Sequence, residues 1–228
     1  MCGRFVVRSS GAELGSYFDV DELDAYKLAP AWNIKPTQQI PIVLQSAKGE
    51  AEPRYRLEQG RWSLLPQWAK EPTLKYPTFN ARSETAAEET AFKASVESKR
   101  AIIPATGYYE WKTVGETKTP YFIYDPVQLI AFAGLYTWWR PSGGTDNDWM
   151  LTAAILTREA VGDLQDIHDR TPVTLPRHFH DTWLDTGTVG DQALVDAAVE
   201  AATPVTTSLQ FHRVRPVRGD SPDLIQPL

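Results

Sequence analysis

Only one cysteine occurs in 228 residues, and it stands second in the chain. A fold without disulfides or cysteine-held zinc must be stabilised by burying apolar side chains, and the composition supplies them. Hydrophobic residues make up 42% of the chain, with 8 Trp and 9 Tyr among them. The length suits one large domain, residues 1–228. Free thiol chemistry fits a reducing compartment. Arg8, Ser9 and Ser10 follow the first apolar residues too soon for a secretory signal, and no apolar run reaches membrane-spanning length. A cytoplasmic protein with no membrane partner is expected.

The position of Cys2 also fixes which chemistry is available. Removal of Met1 ahead of a small residue is expected, and it would leave Cys2 as an N-terminal 1,2-aminothiol. Its amine titrates near about 8 and its thiol near about 8.5, so both are partly reactive at neutral pH without any shift. The amine can condense with an aldehyde, and the thiol can close onto the imine to give a five-membered thiazolidine. Phe5, Val6 and Val7 read as a buried strand that ties the terminus down.

Apolar spacing predicts a helix over 11–18, and the Pro-punctuated stretch 29–36 excludes one there. Strands are expected at 40–44, 54–62, 101–103, 108–112, 121–124, 129–138, 150–157 and 211–217. Thr85 and Glu88 have capping-box spacing and predict a helix ending near Lys99. Further helices are expected at 159–165, 176–184 and 191–201, with loops at 112–119 and 140–148. His178 and His180 would fall on different faces of such a helix, so no metal site is expected, and no cofactor. The sum is an α+β fold.

A net charge of −6 argues against binding nucleic acid by bulk charge. The stretch 54–82 departs from that average, because Arg54, Arg56, Arg61, Lys70, Lys75 and Arg82 face only Glu58 and Glu71. A local basic groove is one reading and solvated surface charge the other. Within 78–84, Asn80 can cap a helix or orient a substrate, and Arg82 can grip a phosphate. Glu110, set among Tyr108, Tyr109 and Trp111, would be desolvated and its pKa raised if its side chain points inward. His168 precedes Asp169 and Arg170, one able to fix its tautomer and the other to bind phosphate. Trp62 and Trp68 alternate with cations and suit either the core or base stacking.

These stretches together resemble the SRAP family, the SOS-response-associated peptidases that shield abasic sites in single-stranded DNA. The motifs are MCGRF, PAWNIKP, RWSLLPQWAK, FNARSET, GYYEWK, AFAGLY and IHDRTPV, in order along nearly the whole chain. The resemblance implies a mainly antiparallel, closed or bifurcated β-sheet with surrounding helices. It further implies a covalent thiazolidine crosslink between processed Cys2 and an opened abasic sugar. Glu110 would then assist ring opening and proton transfers, His168 would handle protons at the sugar oxygen, and Asn80 would position the terminus or sugar. Arg4, Arg82 and Arg170 would hold phosphates beside the lesion, and Trp68 would stack on a flanking base. The family name adds a peptidase activity, understood as self-removal of Met1. Ser63, Trp32 and Thr171 depart from the residues usual in the family, which bears on pocket shape rather than reaction type.

Two other functions share parts of this pattern. An N-terminal-nucleophile amidohydrolase of the glutaminase kind also begins Met-Cys-Gly, and a non-covalent reader of single-stranded DNA needs only the basic and aromatic residues. Nothing resembles a dimerisation heptad, and a monomer, nucleoid-associated when on DNA, is expected.

Overall fold

The computed structural model describes residues 2–23, 26–46 and 54–228. The fold is α+β, with most strands antiparallel and few helices. Twelve strands are described: β1 (Phe5–Val7), β2 (Ala31–Ile34), β3 (Gln39–Ser46), β4 (Arg54–Trp62), β5 (Asn80–Arg82), β6 (Arg100–Ala105), β7 (Gly107–Val114), β8 (Thr117–Tyr124), β9 (Ile130–Trp139), β10 (Met150–Glu159), β11 (Arg170–Pro172) and β12 (Gln210–Arg213). The helices are α1 (Gly11–Tyr17), α2 (Lys93–Ser98), α3 (His180–Leu184) and α4 (Gln192–Ser208). None of the described helices is long and apolar enough to cross a membrane.

One sheet has the order β12-β8-β7-β1-β2, and the other runs β11-β10-β4-β3-β6-β9, with β9 also pairing β10. The core lies between the sheets. Phe5 meets Trp62 and Phe132 edge-on, at 4.9 Å and 6.0 Å between ring centres, so β1 is anchored by aromatic contacts as well as by its ladder. Both faces of β7 are covered. Tyr108 packs into the main core with Cys2, while Tyr109 packs on the opposite face with Val6 and Phe122. Side chains alternate along a strand, so Glu110 shares the inward face of Tyr108.

β10 positions the site. It runs parallel to β5 with Ile155 opposite Asn80 and Thr157 opposite Arg82, and antiparallel to β11 with Glu159 opposite Arg170. Two three-residue strands far apart in sequence are therefore held on the same end of one long strand. Across the inter-sheet space, β7 approaches β11, and the Tyr108 hydroxyl lies 2.8 Å from that of Thr171 in a buried pair.

Several local expectations need correction. Thr85 opens no helix. Its hydroxyl donates to Glu89 at 2.5 Å rather than capping a backbone amide, turns occupy 83–92, and α2 begins only at Lys93. The working capping box is Ser10 with Glu13, where the Ser10 amide donates to the Glu13 carboxylate at 2.7 Å and the Glu13 amide to the Ser10 hydroxyl at 3.3 Å. The helix expected at 159–165 is displaced because Glu159 ends β10, and a 3-10 turn follows over Gly162–Asp166. The loop expected at 112–119 is a tight hairpin, because Gly115 at φ 58° provides the left-handed residue that a two-residue turn needs. β12 stops at Arg213 rather than running to Val217.

Candidate active site

Cys2 leads directly into β1, and its main chain is gripped from across the core. The Asn80 side-chain amide donates to the Cys2 carbonyl at 2.8 Å across a sequence separation of 78, which β5 makes possible by lying along β10. Among the described residues, the buried Oδ1 of Asn80 has no hydrogen-bond partner. The Cys2 side chain is fully buried, with Sγ 3.8 Å from the Arg4 carbonyl. Burial, and next the charge of Glu110, push its thiol well above the ordinary value. The expectation of an unperturbed thiol is therefore overturned, since a sulfur in this setting needs a base to ionise. Met1, whose removal was expected, lies outside the described residues.

Glu110 is 3% exposed, and burial pushes its carboxyl up from 4.5 to about 7. This agrees with the desolvation expected from its aromatic neighbours. His168 lies beside it, with Nε2 4.0 Å from Glu110 Oε2. That spacing exceeds a hydrogen bond, so the two groups stand as separate proton carriers. Burial holds His168 below its ordinary pKa, and the imidazole is neutral at neutral pH.

Two neighbours of His168 Nδ1 require opposite tautomers. The Arg170 amide donates to it at 3.0 Å, whereas Asp169 Oδ1 lies 2.6 Å away and would need a proton there. The Arg170 amide is fixed by the main chain entering β11, while the Asp169 side chain is 84% exposed and solvated. The amide therefore decides, placing the proton on Nε2 toward Glu110.

The four expected DNA contacts differ in availability. Arg82 is exposed at the end of β5 and lines an open cleft of about 780 Å³ with His168, Asp169, Arg170, Glu159 and Gln165. Trp68 is 59% exposed, with its indole N–H 3.4 Å from the Thr90 carbonyl. Arg170 is not the free phosphate fork that was expected. Its guanidinium is held bidentately by Glu84 at 2.7 Å and 2.9 Å and donates to the Thr157 carbonyl at 2.7 Å. Arg4 is likewise engaged, donating to Asn33 Oδ1 at 2.9 Å and lying 5.9 Å from the Trp111 ring centre. The cleft reaches His168, while Glu110 and Cys2 lie behind it.

Sequence reasoning gave no role to Glu84, Asn33 or the Tyr108–Thr171 pair. Glu84 and Asn33 sit inside FNARSET and PAWNIKP, so the motifs marked them, but their partners are remote in sequence. Asn33 links Arg4 to the closing segment by donating to the Gly219 carbonyl at 2.5 Å, and Asp220 accepts from the Trp32 amide at 2.6 Å. Among the described residues, no group of His, Cys, Asp and Glu side chains could hold a metal ion.

Known proteins share both the sequence and the fold. Abasic site processing protein YoaM of Bacillus subtilis is 37% identical over 188 residues, covering 81% of this chain and 79% of that protein. Abasic site processing protein HMCES of Xenopus tropicalis is 31% identical over 192 residues, covering 73% of this chain and 57% of its own length. A crystal structure of a Bacteroides thetaiotaomicron protein superposes over 100% of both chains with a TM-score of 0.80 at 20% identity. One from Bordetella bronchiseptica covers 94% of this chain and 100% of its own, with a TM-score of 0.74 at 23% identity. The model of the SOS response associated peptidase (SRAP) family matches residues 1–218, and the chain belongs to that family.

Proposed function

We propose that this protein processes abasic sites in single-stranded DNA by joining itself covalently to the opened sugar through Cys2, once Met1 has been removed. The observation that carries the reading is the convergence at Cys2. Asn80 holds its carbonyl, Glu110 acts on its thiol by charge, and His168 stands between Glu110 and the cleft. The names of the relatives supply the substrate class, DNA with abasic sites.

The chemistry follows from these positions. His168, neutral with its proton on Nε2, serves the sugar ring oxygen as the ring opens to the aldehyde. The free amine of Cys2 adds to the aldehyde carbon, and the resulting carbinolamine loses water with a proton supplied by Glu110. The thiol then adds across the C=N bond: sulfur bonds to carbon, and the thiol proton passes through the Glu110 carboxylate to nitrogen. No oxidant or reductant is consumed, and one water is released. A buried, protonated thiol fits this order, since the amine reacts first and the sulfur needs a local base only afterwards. A carboxyl titrating near neutrality can serve in both directions.

Arg82 and Trp68, the available cation and the exposed ring, take the flanking phosphate and base. Arg4 and Arg170 act chiefly by holding the site together. The chain 1–228 is read as one unit, a cytoplasmic monomer that joins the nucleoid on DNA. Processing of Met1, by self-cleavage or by an aminopeptidase, precedes the DNA reaction.

The test compares processed parent protein with Cys2→Ser on single strands containing one abasic site. The parent is expected to give a band that survives heat and detergent, and the variant none. Equal retention by both, lost in detergent, would show a non-covalent reader. Turnover of glutamine by the purified protein would show an amidohydrolase.

A further inference from the structure

Glu84 is an unassigned acid two residues beyond Arg82, and both its oxygens are engaged by Arg170, 86 residues away. Paired forks are the most directional of ion pairs. The Arg170 side chain is 12% exposed against 46% for Glu84, so the clamp pulls a mostly buried guanidinium toward the rim of the cleft. Its other anchor is the Thr157 carbonyl on β10. Arg170 is thus held through both terminal nitrogens of its fork, in addition to the pairing of its main chain with Glu159 in the β10–β11 ladder.

That main chain carries the amide that donates to His168 Nδ1. Asp169, 2.6 Å from the same nitrogen, favours the other tautomer, which would turn the Nε2 lone pair toward Glu110. The balance depends on how firmly the Arg170 amide is held. Loosening Arg170 frees the turn from His168 to Arg170 and lets Asp169 compete.

We propose that Glu84 is a positioning residue for the site: by clamping Arg170 it keeps the Arg170 amide on His168 Nδ1 and the imidazole proton on Nε2, facing Glu110. Its consequence for rate rests on the function proposed above, whereas its consequence for the tautomer does not.

The experiment uses the full chain labelled with ¹⁵N-histidine and reads the His168 ring nitrogens at neutral pH in parent, Glu84→Ala, Glu84→Gln and Asp169→Asn. The parent is expected to show a proton on Nε2, Glu84→Ala a shift toward the Nδ1 form, and Asp169→Asn the parent pattern. Glu84→Gln keeps the shape with a weaker clamp and provides a folded comparison, with an intermediate shift expected. Adduct formation at saturating abasic single strand should slow about tenfold in Glu84→Ala, part of what general acid–base catalysis contributes, with partial recovery in Glu84→Asp. Affinity for undamaged strand should not fall. The proposal is overturned if Glu84→Ala and Glu84→Gln both keep the parent tautomer, or if Asp169→Asn moves it while they do not. A parent that forms no adduct would defeat the proposed function and leave the tautomer result to decide on Glu84.

Discussion

Glu110 Oε2 and His168 Nε2 stand 4.0 Å apart, one group 4% and the other 29% exposed at the side chain, with Glu110 on β7 of one sheet and His168 in the loop that leads into β11 of the other. The arrangement grades from solvent to core. His168 meets the cleft, Glu110 lies behind it, and Cys2 is fully buried beyond both. Protons can therefore pass between the cleft and the N-terminal residue through His168, which burial holds below its ordinary pKa, and Glu110, whose carboxyl burial raises to about 7.

Burying Glu110 costs stability in a defined pH window. Its folded pKa is about 7 against 4.5 for the free group, so the folded state keeps a proton that the unfolded chain releases. Stability from this residue is fully present below about pH 4.5 and is lost as pH rises to about 7, by on the order of 3 kcal/mol. Glu110→Gln should match the parent near pH 4.5 and exceed it at pH 8 in urea denaturation. A difference independent of pH would show that the carboxyl is not desolvated in solution. The same variant should slow adduct formation far more than it weakens binding to undamaged strand.

Asn80→Ala removes the donor to the Cys2 carbonyl. The lost hydrogen bond should cost about 1 kcal/mol of stability. A larger effect is expected on adduct rate, about tenfold at saturating DNA, because the amine is no longer held in line. Rapid-quench crosslinking beside equilibrium binding separates the two. A change in binding alone would make Asn80 a DNA contact.

Trp68 and Arg82 should control capture without touching stability. Trp68→Ala is expected to weaken single-strand binding by ~1–3 kcal/mol, the worth of a stacked base, and to leave the melting temperature near the parent's. Arg82→Ala should reduce the slope of log K against log salt by about one. Fluorescence anisotropy at several salt concentrations reads both. An unchanged slope would place the phosphate elsewhere.

How much of this was legible beforehand depended on range. β1, β3, β4, β7, β9 and β10 carry apolar or aromatic runs long enough to register, and the N-cap role of Asp191 in α4 is local. β5 and β11 have three residues each and no periodicity to read, although they carry Asn80 and Arg170. Thr85 and Ser10 present the same capping spacing, and only tertiary context selects Ser10. Glu84 claims Arg170 across 86 residues, a pairing that no local pattern records. The burial of Cys2, which removes the expected ready thiolate, follows from two sheets closing over the terminus.

Arg100 tests the fold rather than the site. It is 1% exposed, and its guanidinium donates to the carbonyls of Trp183 at 2.8 Å, Val96 at 2.8 Å, Glu97 at 3.0 Å, Thr188 at 2.9 Å and Asp185. Arg100→Met strips all of these buried acceptors of their donor. A loss of about 3 kcal/mol or more is expected in denaturant unfolding. A loss under about 1 kcal/mol would mean that water replaces the guanidinium at little cost.

The most direct test of the covalent reading is the intact mass of the protein after incubation with a single-stranded oligonucleotide bearing one abasic site, with and without borohydride. The expected result is a chain lacking Met1 joined to the strand, one water lighter than the sum of the two and unchanged by borohydride, as a closed ring requires. An adduct that gains two hydrogens with borohydride would be an open imine, and finding only the separate masses would contradict covalent capture through Cys2 altogether.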